Sequence, residues 1–124
     1  MYVAGRDHPL REPARRFGEG VRAGEFDACS STEVLQEILY RYHALTRLDL
    51  ARQVYELFVL LCPVVFPVTL ADTDRGKQIV CAGTGVGVRE AIHAAVMLNN
   101  DICDVASFDT GFDLVPDIRR MPLA

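Results

Sequence analysis

Val88-Arg89-Glu90-Ala91-Ile92-His93-Ala94-Ala95-Val96-Met97-Leu98-Asn99-Asn100 leads, two residues later, into Cys103-Asp104-Val105-Ala106-Ser107-Phe108-Asp109. In the first part Val88, Ile92, Ala95 and Val96 recur at helical steps, and the two asparagines close the helix. The second part reads as a short strand with Asp109 where it ends. A helix followed by such a strand is part of a βαβ unit, so the rest of the chain should supply further strands.

Working backward, Thr69 and Asp72 have the spacing of a capping box and open a helix that the loop Gly83-Thr84-Gly85-Val86-Gly87 ends. Pro63-Val64-Val65-Phe66-Pro67-Val68 is β-branched and aromatic between prolines, which predicts a strand. Earlier still, a helix from about Thr32 to Leu45 should bury Val34, Leu35, Ile38, Leu39 and Tyr42. Ser30 and Glu33 stand at capping-box spacing before it, and Thr46 with Asp49 offers a fresh cap for a helix through Leu60. Phe26-Asp27-Ala28-Cys29 fits a strand running into this pair. Pro9 to Val21 places Leu10, Ala14, Phe17 and Val21 on one helical face, arginines on the other, and Gly20 and Gly24 at its close. Short strands alternating with longer helices predict an α/β fold with a parallel sheet and helices on its faces, a single domain over residues 1–124.

The 124 residues are 50% hydrophobic and 24% charged, with 13 basic against 17 acidic side chains and a net charge of −4. A chain this long removes roughly two-thirds of its unfolded surface from water, which argues against disorder. No apolar run approaches the roughly 18 residues of a membrane span, and the start lacks the order of a signal peptide. The expected location is therefore the cytoplasm, with no membrane partner. Cys29, Cys62, Cys81 and Cys103 form no Cys-x-x-Cys pair, so four buried, reduced thiols are expected rather than a zinc knuckle or redox centre. The negative balance argues against nucleic-acid binding by bulk electrostatics, although residues 1–24 are mildly basic and the last stretch acidic.

In open α/β sheets the working crevice lies outside the carboxyl ends of the strands. Acids at strand ends and helix starts are thus the candidates: Asp109 and Asp113 after the last strand, Glu90 in the first turn of its helix, and Glu37 beside the apolar stripe between Val34 and Ile38. A carboxylate near such a stripe is costly unless a cation or hydrogen bonds meet it, and a hard divalent metal would do so. Plainer readings stand beside this one. Glu37 pairs with Arg41, Glu90 favours its helix N-terminus, and Asp109 begins a turn.

The stretches Val88 to Ala95 and Ser107-Phe108-Asp109-Thr110-Gly111-Phe112-Asp113 resemble the end of a PIN-domain protein of the VapC-type toxin family. Glu37 in Val34-Leu35-Gln36-Glu37-Ile38 matches that family's helical acid, and Val68 to Arg75 resembles its mid-chain helix start. The resemblance covers the chain from about Asp7 onward. It implies a three-layer α/β/α sandwich with a short parallel sheet. It also implies an endoribonuclease whose clustered acids hold Mg²⁺ or Mn²⁺, the toxin of a type II toxin–antitoxin pair, with RNA as substrate, a cognate antitoxin as partner and a homodimer as the common assembly. Carried over by position, Glu37, Glu90 and Asp109 would be metal ligands and Asp113 an outer catalytic member. Two departures from the pattern stand out. No hydrophobic strand ending in Asp precedes Arg6, so the chain is expected to be N-terminally truncated, and Glu90 stands where the pattern has Asp. A catalytically impaired form that binds an antitoxin or a second subunit is the alternative, and Phe58-Val59-Leu60-Leu61 would contribute to such a surface.

Elsewhere the signals are weak. His93 should be a packed histidine, and His8 and His43 belong to no constellation. The glycine loop at 83–87 lacks the Lys-Ser/Thr of a phosphate loop, and no Ser-His-Asp or Cys-His arrangement is present.

Overall fold

In the computed structural model the described residues are 16, 19–20 and 28–121. Arg16, Glu19 and Gly20 are helical; the rest of the helix expected over 9–21, and Phe26 and Asp27 of the first expected strand, lie outside the described residues. The chain forms two compact units, one ending at Pro67 and the other beginning at Val68. Among the described residues no helix is long and apolar enough to cross a membrane.

In the first unit β1 (Cys29–Ser31) runs directly into α1 (Thr32–Ala44), α2 (Leu48–Leu61) follows, and β2 (Val64–Phe66) returns parallel to β1 with Cys29 opposite Val64 and Ser31 opposite Phe66. Leu35, Ile38 and Tyr42 of α1 meet Ala51 and Val54 of α2 in one apolar cluster. Leu39, expected inside, is 47% exposed. It lies about 100° round the helix from Ile38, at the rim of a stripe that Ile38 and Tyr42 centre.

Both expected caps in this unit are replaced. Ser30 is still in β1, paired with Val65, so Ser31 takes the N-cap position of α1 and makes no side-chain cap bond. At the α1–α2 corner Thr46 turns to a φ of 56° and Arg47 becomes the N-cap of α2. Asp49 is then bound by the Arg47 guanidinium at 3.1 and 3.0 Å instead of serving a Thr46 cap.

In the second unit α3 (Leu70–Cys81) and α4 (Val88–Asn99) pack together, followed by β3 (Asp104–Val105), a 3₁₀ helix (Thr110–Leu114) and β4 (Arg119–Arg120), which lies parallel to β3. The Thr69–Asp72 capping box forms as the spacing predicts. Asp72 is only 3% exposed. Its Oδ2 accepts from the Thr69 N–H at 2.8 Å and the Thr69 hydroxyl at 3.0 Å, and its Oδ1 accepts from Asn99 Nδ2 at 2.8 Å. Burial pushes this carboxyl up, but the hydrogen bonds from Asn99 and Thr69 outweigh it and hold the group below its ordinary value. The start of α3 is thereby tied to the end of α4. Midway, Gly76 permits the close approach, since a Cβ there would come within 2.8 Å of Ile92 Cδ1. The core is Val86, Ala91, Ala94, Phe112, Val115 and Ile118.

The strand expected over 103–108 is only two residues long, because its partner β4 offers only two and the Ser107 hydroxyl then turns the chain by accepting the Asp109 N–H at 3.0 Å. The cysteine expectation also fails for three of four. Cys62 is buried, whereas Cys29, Cys81 and Cys103 are exposed, and all four are free. Cys29 opens a strand, Cys81 ends α3 and Cys103 precedes β3, all places where the apolar neighbours in sequence point elsewhere.

Candidate active site

Glu90 is the third residue of α4, after the N-cap Gly87, and Asp109 is the N-cap of the 3₁₀ helix. Asp109 Oδ1 accepts from the Gly111 N–H at 2.8 Å, which fixes its carboxyl at the turn. The two carboxyls come together beside Gly111, within reach of a hydrogen bond between them. Hydrogen bonding to Asp109, followed by burial, pushes Glu90 up; its side chain is 15% exposed. The same hydrogen bond and the Gly111 amide hold Asp109 down. Of the two neighbouring carboxyls, Glu90 is thus the weaker acid and Asp109 the stronger.

Two glycines make room for this contact. A Cβ on Gly87 would overlap Glu90 Oε2, and one on Gly111 would come within 3.0 Å of Asp109 Oδ1 and 3.3 Å of Glu90 Cγ. Sequence reading takes Gly87 only as the end of a loop and Gly111 only as part of the late motif, although each lies two or three residues from a candidate acid.

Cations flank the pair. Arg89 Nε lies 3.9 Å from Glu90 Oε1. Arg120 binds Asp113 through two bonds, Nε to Oδ1 at 2.8 Å and Nη2 to Oδ2 at 3.0 Å, and this holds Asp113 below its ordinary value. Arg120 also attracts Asp109. His93 packs beside Phe112, ring centroids 6.4 Å apart, as a packed histidine should.

The second unit therefore brings Glu90 and Asp109 into contact and places Asp113 on Arg120. Glu37 lies on α1 of the first unit, half-buried and with an interaction of its own. Among the described residues no three His, Cys, Asp or Glu side chains gather as a metal-holding group. Two carboxyls brought side by side nonetheless offer the all-oxygen donor set that a hard divalent cation takes, so the chemistry of Glu90 and Asp109 fits Mg²⁺ or Mn²⁺.

The sequence profile of the PIN domain matches residues 1–118. A VapC ribonuclease of Mycobacterium bovis and the ribonuclease VapC13 of Mycobacterium tuberculosis are each 32% identical to the chain over 121 residues, 98% of this chain and 92% of theirs. The ribonuclease VapC23 of Mycobacterium tuberculosis is 31% identical over 109 residues, 88% of this chain and 86% of its own. No solved structure matches the chain significantly. The profile runs through both units and the relatives align over nearly their whole length, so the chain belongs to the PIN domain family, and its helices and short parallel strands are an example of that α/β fold.

Proposed function

We propose that the chain is a metal-dependent endoribonuclease, the toxin half of a type II toxin–antitoxin pair, folded as one PIN domain over residues 1–124. The observation that carries this reading is the Glu90–Asp109 contact, two acids held together by turns whose glycines leave room for them. The kinship to proteins named VapC ribonucleases supports it. Glu37, Glu90 and Asp109 would hold Mg²⁺ or Mn²⁺, with Asp113 assisting from outside. The ion supplies charge neutralisation at the phosphate and a more acidic water. The protein's own part is to orient the carboxylates: the Gly111 amide fixes Asp109, and Asp109 in turn sets the carboxyl of Glu90. Such a toxin acts on RNA in the cytoplasm and is restrained by a cognate antitoxin.

A second reading, an antitoxin- or subunit-binding module with impaired catalysis, is favoured by the apolar residues that α1 and α2 leave outside, Leu39, Tyr40, Leu57 and Leu60, the last 81% exposed. A homodimer would use the same surface.

The test is cleavage of a structured RNA with Mg²⁺ or Mn²⁺, against EDTA and against Glu37→Gln and Asp109→Asn. Cleavage that needs the metal and both acids supports the nuclease. Absence of cleavage together with tight antitoxin binding supports the module.

A further inference from the structure

We propose that Arg120, held in place by Asp113, is the phosphate-positioning arm of this site, taking a non-bridging oxygen of the RNA backbone beside the Glu90–Asp109 pair. The inference rests on the ribonuclease reading and adds to it the group that receives the substrate's charge. It also gives Asp113 its part, as a positioning residue that acts through Arg120.

Three observations converge. First, β4 consists of two arginines whose side chains leave on opposite faces, as strand geometry requires. Arg119 goes to Asp104, Nε to Oδ1 at 2.8 Å, and remains 76% exposed, whereas Arg120 goes to Asp113 and is 30% exposed. Second, the fork on Asp113 uses Nε and one hydrogen of Nη2. A guanidinium has five N–H donors, so three remain, and among the described residues none of them has a partner. Third, Asp113 lies in the short 3₁₀ helix that Asp109 caps, so the fork holds the guanidinium beside the element that carries Asp109, and the two charges attract. A planar cation locked by one carboxylate, with three donors to spare near a second acidic group, is suited to a phosphodiester. Asp113 removes the rotamer freedom that a lone arginine would lose on binding RNA.

The test uses the full chain in EDTA, so that nothing is cleaved, and a fluorescein-labelled single-stranded RNA whose anisotropy is followed across a salt series. One phosphate contact contributes about 0.7 to the slope of log K against log salt, so Arg120→Ala should lower the slope by about 0.7 and the affinity at 0.1 M salt about fivefold. Arg119→Ala removes the same charge from the opposite face and should leave the slope unchanged. Arg120→Lys should keep the slope in EDTA, while in a separate cleavage assay with Mg²⁺ its kcat falls at unchanged KM, since the charge persists without the fork. Asp113→Asn should leave Mn²⁺ affinity as it is, where Glu90→Gln lowers it. Equal slopes for Arg120→Ala and the unmodified chain, or equal losses in Arg119→Ala and Arg120→Ala, overturn the assignment while the ribonuclease reading stands. Loss of Mn²⁺ binding in Asp113→Asn makes Asp113 a ligand and overturns it too. An unmodified chain that shows no salt-dependent RNA binding defeats the ribonuclease reading, and this inference with it.

Discussion

Replacing Asp72 by alanine should destabilise the second unit by about 3 kcal/mol at neutral pH. A hydrogen bond to a charged group contributes about 1.5–3 kcal/mol, and a capping interaction typically about 1 kcal/mol. Asp72 makes three such bonds, to the Thr69 N–H, the Thr69 hydroxyl and Asn99 Nδ2. The simple sum overstates the loss, because Thr69 and Asn99 are exposed and regain water when the carboxylate is gone. What remains is the cap of α3 and the tie to α4, hence about 3 kcal/mol, a large share of the roughly 5–15 kcal/mol that holds a domain together. For a chain of this length that corresponds to a melting point lower by about 12 °C.

The same substitution has a pH signature. The Asp72 carboxyl is held below its ordinary value in the folded chain, so its contribution is present above the unfolded value and is lost as pH falls through the folded one. Urea unfolding of the chain and of Asp72→Ala at several pH values should show a gap that is constant near neutrality and closes in strong acid. A gap below 1 kcal/mol at neutral pH, or one that does not narrow on acidification, would refute the reasoning and show that water already serves these bonds in the native state.

Three further outcomes are expected. Glu90→Gln should raise the melting point in EDTA at pH 8 but not at a pH below the ordinary carboxyl value of 4.5: Glu90 is pushed up by Asp109 and by burial, so its share of stability falls as pH rises through the folded value, and glutamine keeps a donor at every pH; equal shifts at both pH values would contradict this. Gly87→Ala should melt within about 1 kcal/mol of the parent yet bind Mn²⁺ more weakly, because the new methyl displaces the mobile tip of Glu90 and no backbone; unaltered Mn²⁺ binding in a calorimetric titration would count against it. A thiol-reactive dye should label Cys29, Cys81 and Cys103 in the native chain and Cys62 only after unfolding, with Cys29 slowed because burial pushes its thiol up; mass spectrometry of the labelled peptides distinguishes the sites.

The legible parts of this fold are those set by local pattern. The bounds of α1 and α4 follow largely from apolar periodicity, and those of α3 from the spacing of Thr69 and Asp72 and the glycine loop that ends it. What is not legible depends on partners distant in sequence. Nothing in Arg119-Arg120 reads as strand; the pair becomes one because Cys103 and Val105 carbonyls accept the Arg119 and Met121 N–H groups at 2.7 and 2.8 Å. Cysteine exposure fails for the same reason, since neighbours in sequence do not fix which way a terminal residue of an element faces. In the site, Glu90 and Asp109 are each visible from their place at a helix start and a strand end, but their contact is not. The fork between Asp113 and Arg120 spans a turn whose course no spacing rule gives.

The contrast between Asp72 and Glu90 shows how one helical position yields either structure or chemistry. Both are the third residue of their helix, where amides at the N-terminus favour a negative charge. Asp72 has Thr69 three residues before it, folds back onto that residue's N–H and hydroxyl, and is held below its ordinary value. Glu90 has Gly87 there, which has no hydroxyl to close a box and leaves space for the carboxyl, and the longer side chain reaches Asp109 instead. The contact with a second acid and burial then outweigh the favourable helix terminus and push Glu90 up. An acid placed against an acid is unfavourable once both are ionised, and a divalent cation held by Glu90 and Asp109 would offset that repulsion. The residue at the N-cap therefore determines whether the acid stabilises α3 or is left, on α4, turned toward a second acid, and the glycine at 87 is as much a part of the candidate site as the glutamate at 90.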